Sequence, residues 1–281
     1  MTRAAESIDS WIGKSRETED LIAPFQARAM AATLDHARAP ADGDALPPGW
    51  HWLYFPDTPR PGALGPDGHE ARGGFLPPIA LPRRMWAGNR LAFHQPLRIG
   101  ERARRHSVIE RIERKEGRAG ALAFVTVHHR YSGAAGLALE EWHDIVYRAE
   151  PAPGAALPPG KGAPAKARWR REITPDEVLL FRYSALTFNG HRIHYDYPYV
   201  TGEEGYEGLI VHGPLTATLL LDLVGREAPD ARIAGVRFGA RRPLYAGRKL
   251  TLEAAPESGA IAAWALDSAG RLAMHARIET V

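Results

Sequence analysis

The sequence predicts an α+β protein built from two similarly ordered halves, each a helix followed by consecutive antiparallel strands. Three observations predict this: helical spacing of apolar residues early in each half, grouped runs of alternating character after it, and a coreless stretch between the halves. A chain of 281 residues with 44% hydrophobic and 25% charged residues suits one large or two modest domains and is far from a disordered composition.

In the first half, Asp20 to His36 carries Leu21, Phe25, Met30 and Leu34 at helical spacing, with Pro24 acceptable in a first turn. Ala39 to Leu81 is dense in Pro and Gly and holds Trp50, Trp52, Tyr54, Phe55 and Phe75, aromatics that either pack the loop down or line a ligand groove. Strand-like runs follow at 91–97, 104–114, 121–131 and 137–148, with turns at Ile99–Glu101, Lys115–Gly120 and Ser132–Gly136. Their alternation implies antiparallel strands with one buried face.

Ala149 to Ala167 is rich in Pro, Gly and Ala and reads as a linker, which divides the chain into residues 1–148 and 168–281. Its PPGKG piece lacks phosphate-loop glycine spacing, and no Ser or Thr follows Lys161. In the second half, Thr174 to Tyr183 reads as a short helix opened by Thr174 and Pro175, and a polar loop without periodicity runs through Asp196. Leu215 to Val224 is apolar on every face and must be buried all round. Strand-like runs at 231–240, 249–255, 260–267 and 271–280 close the chain. A buried helix wrapped by a curved antiparallel sheet is the hot-dog arrangement, so the expected architecture is a tandem (double) hot-dog.

The chain has no cysteine, which excludes disulfides, thiolate nucleophiles, zinc–thiolate sites and iron–sulfur clusters. The first residues form no secretory leader, and no stretch of about 18 apolar residues exists to span a bilayer, so a cytoplasmic protein without membrane contact is expected. A net charge of +3 is too small to argue for nucleic acid. The clusters Arg102, Arg104, Arg105 and Arg241, Arg242 are either solvated strand edges or a means of capturing a phosphorylated small molecule.

Chemistry concentrates between Phe181 and Leu221. Asn189, His191, His194 and Asp196 fall within eight positions in a loop that precedes the buried helix, a placement typical of function but also open to turn capping. His212-Gly213-Pro214-Leu215 then starts that helix. Proline suits a first turn, Gly admits close approach, and the free N–H groups there favour an oxygen that gains negative charge.

FRYSALTFNGHRIHYD together with VHGPLTATLL resembles the MaoC-like hydratase/dehydratase family, in the branch of hydroxyacyl-thioester dehydratase type 2 and mesaconyl-C4-CoA hydratases. WIGKSRETEDLIAPFQARAMAATLD in the first half is similar to that branch too. The resemblance implies a hydro-lyase acting on an α,β-unsaturated acyl thioester carried by CoA or acyl carrier protein, with no cofactor beyond the CoA of the substrate. It places His194 on the family's catalytic His, Asn189 on the family's Asp and Gly213 on the backbone donor to the thioester oxygen. Asn189 has an amide where the family has a carboxylate, so it can position water but cannot act as a base.

His191, His212 and Leu215 are expected on the substrate side, Arg241 and Arg242 at the CoA phosphates, and Arg192 or Arg182 at the free carboxylate of a dicarboxylic acyl group. Asp196 is a candidate to orient His191 or His194. The second half is thus expected to be catalytic and the first to frame the substrate, with a homodimer allowed. A thioesterase on the same fold, a non-catalytic acyl-CoA-binding subunit and a metal site at His191-x-x-His194-x-Asp196 stand as alternatives.

Overall fold

The structure, a computed structural model, describes residues 7–117, 120–149 and 159–281. Ten strands form one sheet in the order β1-β3-β4-β5-β2-β7-β10-β9-β8-β6. The first half contributes β1 (Ser15–Leu21), β2 (Arg83–Phe93), β3 (Arg102–Gly117), β4 (Gly120–Gly133) and β5 (Gly136–Arg148). The second contributes β6 (Trp169–Ile173), β7 (Ile233–Ala240), β8 (Leu250–Glu257), β9 (Ala260–Leu266) and β10 (Leu272–Thr280). Every strand pairs antiparallel with its neighbour, and the halves join where β2 pairs with β7 from Gly88↔Gly239 to Ala92↔Gly235. Gly88 is required at that seam, because a Cβ there would lie 2.3 Å from the Phe238 carbonyl oxygen.

The helices are α1 (Pro24–Thr33), α2 (Glu177–Thr187), α3 (Tyr197–Gly202) and α4 (Gly213–Glu227). Leu215, Leu219, Leu220, Leu223 and Val224 of α4 are buried, as its all-round apolarity requires, and the helix packs on β6, β8, β9 and β10. This is the hot-dog arrangement. In the first half the shorter α1 docks on α2 and on the 3-10 turn Trp50–Leu53. Trp50, Leu53, Tyr54 and Phe55 of the aromatic loop are buried in the same apolar cluster as α4, and Trp52, Tyr54, Phe55 and Phe75 also line a cleft, so these aromatics both pack the loop down and line a groove.

Several boundaries differ from expectation for physical reasons. Asp20 and Leu21 end β1 rather than begin a helix, because pairing with β3 claims Ser15 to Leu21, and the helix opens at Pro24. The run expected at 91–97 starts already at Arg83 and stops at Phe93. β6, rich in Arg and Glu, lacks the apolar alternation that marks a strand and is held by its ladder to β8. Asp176, not Thr174, caps α2 by accepting from the Leu179 N–H at 2.8 Å. The polar loop contains a 3-10 turn, Arg192–His194, and the beginning of α3, which Asp196 caps.

Residues 150–158 of the expected linker and the first six residues of the chain lie outside the described residues; 159–167 carry neither helix nor strand. Among the described residues no helix is long and apolar enough to cross a membrane.

Candidate active site

The loop after α2 is shaped by its own polar groups. Phe188 takes the left-handed conformation that ends α2, at φ 51°, and the Asn189 side-chain oxygen accepts the His191 N–H at 2.9 Å. The 3-10 turn then delivers His194, only 7% exposed, against the start of α4. Its Nδ1 faces the Ile210 carbonyl oxygen at 2.7 Å and must carry the proton, which leaves the lone pair on Nε2. Burial, and then the neighbouring His191, push the His194 imidazole down to about 3, so it is neutral at physiological pH.

His194 stacks on His212, with centroids 3.6 Å apart and planes at 20°. His212 is wholly buried, directly precedes α4, and its Nε2 meets the Ser184 hydroxyl at 2.8 Å. The imidazole and the helix start therefore converge. The first N–H groups of α4 have no intrahelical partner, and Pro214 in that turn brings no N–H at all. Trp86 lies over this point so closely that a Cβ on Gly213 would sit 2.6 Å from its ring.

Both halves line a cleft of about 1710 Å³. On its first-half wall the carboxylate of Glu141, itself 2% exposed, accepts hydrogen bonds from Trp52 Nε1 and Tyr131 Oη, both at 2.9 Å, and from the Asn89 amide. His51 Nε2 stands 3.3 Å from it. The Asn89 oxygen accepts in turn from Trp86 Nε1 at 2.8 Å. A buried anion thus orients an amide, the amide orients the indole, and the indole roofs the α4 terminus. Burial opposes ionisation of Glu141, but the hydrogen bond with His51 is the largest of the influences that hold its pKa below the usual carboxylate range.

Residues 65–70 of the first half are stitched to the second-half loop. The Arg192 N–H donates to the Asp67 carbonyl at 2.9 Å, and Arg192 Nη1 donates to the Pro66 carbonyl at 3.0 Å. Gly68, at φ 86°, lies so near the Gly190 carbonyl that a Cβ would come within 2.0 Å of its oxygen. This brings the His69 ring to 4.1 Å from that of His191, which stands 5.4 Å from His194. Asp67 Oδ2 accepts from His69 Nδ1, and Oδ1 from the His69 N–H, both at 3.1 Å.

Asp67, His69 and His191 place possible metal-ligating atoms within 4.8 Å of one another. The carboxylate is already occupied by His69, however, and the Arg84 charge acts on all three groups, an arrangement that favours hydrogen bonding over a divalent cation.

Of the residues singled out by sequence, His194, Asn189, His191, Gly213, Arg241 and Arg242 line this cleft. His212 backs His194 from within the core. Leu215 is fully buried in the helix–sheet core and does not reach the cleft. Arg182 is exposed on α2 outside it. Arg192 is outside too, its guanidinium paired with Asp196 at 2.8 Å and lying 4.0 Å from the Tyr199 ring centroid. Asp196 is thereby spent on Arg192 and on the Tyr199 N–H, so it orients neither His191 nor His194 and closes no metal set with them.

Sequence reasoning missed Trp86, Asn89, Glu141, Asp67 and His69. Glu141 had a readable signal, an acidic residue on the buried face of β5 with Leu139, Ile145 and Tyr147. Asp67 and His69 had none.

A family model described as hydroxyacyl-thioester dehydratase type 2 matches residues 49–246. Mesaconyl-C(4)-CoA hydratase of Chloroflexus aurantiacus is 47% identical over 271 residues, covering 96% of each chain. Among solved structures, a MaoC-like dehydratase from Phytophthora capsici superposes with TM-score 0.66 at 13% identity, over 98% of this chain and 99% of that one. A Mycobacterium tuberculosis protein described as having a double hotdog fold superposes with TM-score 0.61 at 14% identity, over 98% and 97%. These two show the fold: a double hot-dog.

Proposed function

The chain belongs to the hydroxyacyl-thioester dehydratase type 2 family, and on that premise we propose that it adds water to, or removes it from, a carbon–carbon double bond conjugated with an acyl thioester. The substrate is an acyl-CoA such as mesaconyl-C4-CoA, with an acyl carrier protein thioester as the other possible carrier; the 47% identical relative bears that substrate in its name. The observation that carries the reading is the stacking of His194 on His212 at the mouth of α4, with the His194 tautomer fixed by Ile210.

In hydration the thioester carbonyl lies at the Gly213 end of α4. His194 Nε2 takes one proton of water as the oxygen bonds to the β-carbon, and the π pair moves onto the carbonyl oxygen. The free N–H groups and dipole of α4 stabilise that enolate charge until the proton passes from His194 to the α-carbon. Dehydration is the reverse. No cofactor beyond the CoA of the substrate enters the scheme. Asn189, its oxygen bound to the His191 N–H, has its amide N–H₂ left to hold water or substrate.

Arg241 and Arg242, at the cleft between β7 and β8, are the candidates for the CoA phosphates. Residues 168–281 carry the imidazole and the helix in this scheme, residues 1–148 frame the substrate, and the cytoplasm is its setting.

The test is a panel of enoyl-CoA thioesters, including mesaconyl-C4-CoA and crotonyl-CoA, followed by loss of the conjugated double bond. His194→Ala should lower kcat at least about 100-fold with little loss of thermal stability. Near-normal turnover in that variant refutes the assignment, and steady release of free thiol without a hydrated product would establish a thioesterase instead.

A further inference from the structure

We infer that Asp67 and His69 supply the second water-binding group of the site, His69 as a catalytic residue that accepts a hydrogen bond from the reacting water and Asp67 as the residue that positions it. The inference rests on the hydration reading above and goes beyond it, because it makes the first half part of the chemistry.

Three independent features lead there. Asn189 cannot be a base, and its oxygen is consumed by the His191 N–H, so its own loop offers no proton acceptor other than imidazole. Asp67–His69 is a carboxylate–imidazole pair whose two members both line the cleft, and it is brought in from the other half. Finally, the join between the two loops is built at backbone level, by Arg192 on the Asp67 and Pro66 carbonyls and by the close approach of Gly68 to Gly190. Such a join fixes a geometry that exposed side chains alone would not.

His69 and His194 present matched tautomers. Each has Nδ1–H engaged, with Asp67 Oδ2 at 3.1 Å and the Ile210 carbonyl at 2.7 Å, so each keeps its lone pair on Nε2, and both residues line the cleft. Water has two protons to place. One O–H breaks, its proton passing to His194 Nε2 as oxygen bonds to the β-carbon; the other O–H stays intact and is held by His69 Nε2. The proton on His194 then goes to the α-carbon, and both imidazoles end neutral. The charged groups around the pair agree with this. Burial lowers the His69 pKa and Arg84 adds to it, against Asp67, so His69 is neutral and can accept. Burial works against the charge on Asp67, but His69 and Arg84 keep it ionised.

The experiment uses the full-length protein with His69→Ala, His69→Gln, Asp67→Asn and His194→Ala, each checked for an unchanged melting temperature. His69→Ala should lower kcat about 100-fold while KM moves less than about threefold, and Asp67→Asn about 10-fold. His69→Gln, which can still accept through its side-chain oxygen, should recover part of the loss. If His69→Ala keeps kcat within about threefold of the parent, the inference is wrong. Loss of activity on chelation that zinc or manganese restores would also overturn it in favour of a metal site. Imidazole nitrogen NMR keeps the two readings apart. The parent should show His69 as the neutral Nδ1–H tautomer, and Asp67→Asn should mix its tautomers; no change sinks the pair. A protein that hydrates no enoyl thioester yet shows the tautomer shift loses the function reading and the catalytic part of this inference, and keeps only the pair.

Discussion

Gly213 shows how one missing Cβ serves two neighbours. It adds no side chain at the α4 terminus, where Gly213 lines the cleft, and it lets the Trp86 indole approach the helix start closely, held from behind by Asn89 and Glu141. Gly213→Ala would force a Cβ to within 2.6 Å of a ring that cannot retreat without breaking the Asn89 bond. Overpacking of this kind costs about 1–3 kcal/mol. Urea unfolding of Gly213→Ala, Trp86→Ala and the double variant measures it: the glycine substitution should cost that amount alone and less than about 0.5 kcal/mol once the indole is gone. Equal cost in both backgrounds would show that the ring is not the obstacle. At this scale the sequence was legible where chemistry is local. Asn189, His191 and His194 lie within six positions, and Gly213 follows in a second motif. Asp67 and His69 are more than a hundred residues upstream in a loop without periodicity, and only the folded chain brings them to His191.

Among the elements, α4 was the most legible because burial on all sides leaves a signature no exposed helix shares. Its buried carboxylate was not. Asp222, with its side chain 3% exposed, takes Arg171 from β6 at 2.7 Å, Arg226 from its own last turns at 2.9 Å, and His36 from beyond α1 at 2.6 Å. One anion therefore ties the end of the core helix to a strand with little apolar alternation and to the first half of the chain, which also explains how so charged a strand as β6 is retained. Removing a buried partner usually costs about 3–5 kcal/mol, but these three partners are about a third exposed and regain water, so about 2 kcal/mol is expected for Asp222→Ala. Asp222→Asn, which keeps hydrogen bonds to one side, should lose less. Denaturant unfolding decides, and a loss below about 0.5 kcal/mol would mean that the apolar contacts of α4 hold the two elements unaided. The same lack of apolar alternation explains why the strand character of β1 and β6 escaped the sequence: each is recognised by its partner, β3 or β8, and not by its own residues.

For the whole molecule, the fold buries neutral imidazoles in both halves, and this sets how the protein responds to acid. Burial pushes His129 of β4 and His194 of the active-site loop each down to about 3. An unfolded chain protonates the same groups near 6.5, so below that pH it binds protons the folded chain refuses. Their contribution is therefore complete above about pH 6.5 and is lost as the pH falls toward the folded values, by roughly 1 kcal/mol per imidazole per pH unit. The ordered carboxylate Glu141, with its lowered pKa, adds a loss of the same sign further into acid. Catalysis should behave differently. His194 stays unprotonated well below pH 6, so the kcat of the folded enzyme should remain level on the acid side until unfolding intervenes. Stability measured by urea at pH 7, 6 and 5, beside initial rates at the same pH values, separates the two: stability should fall while kcat holds. A kcat that halves near pH 6.5 would show that the His194 environment is wet in solution, and with it would go the closed packing of His194 on His212 from which the function is argued.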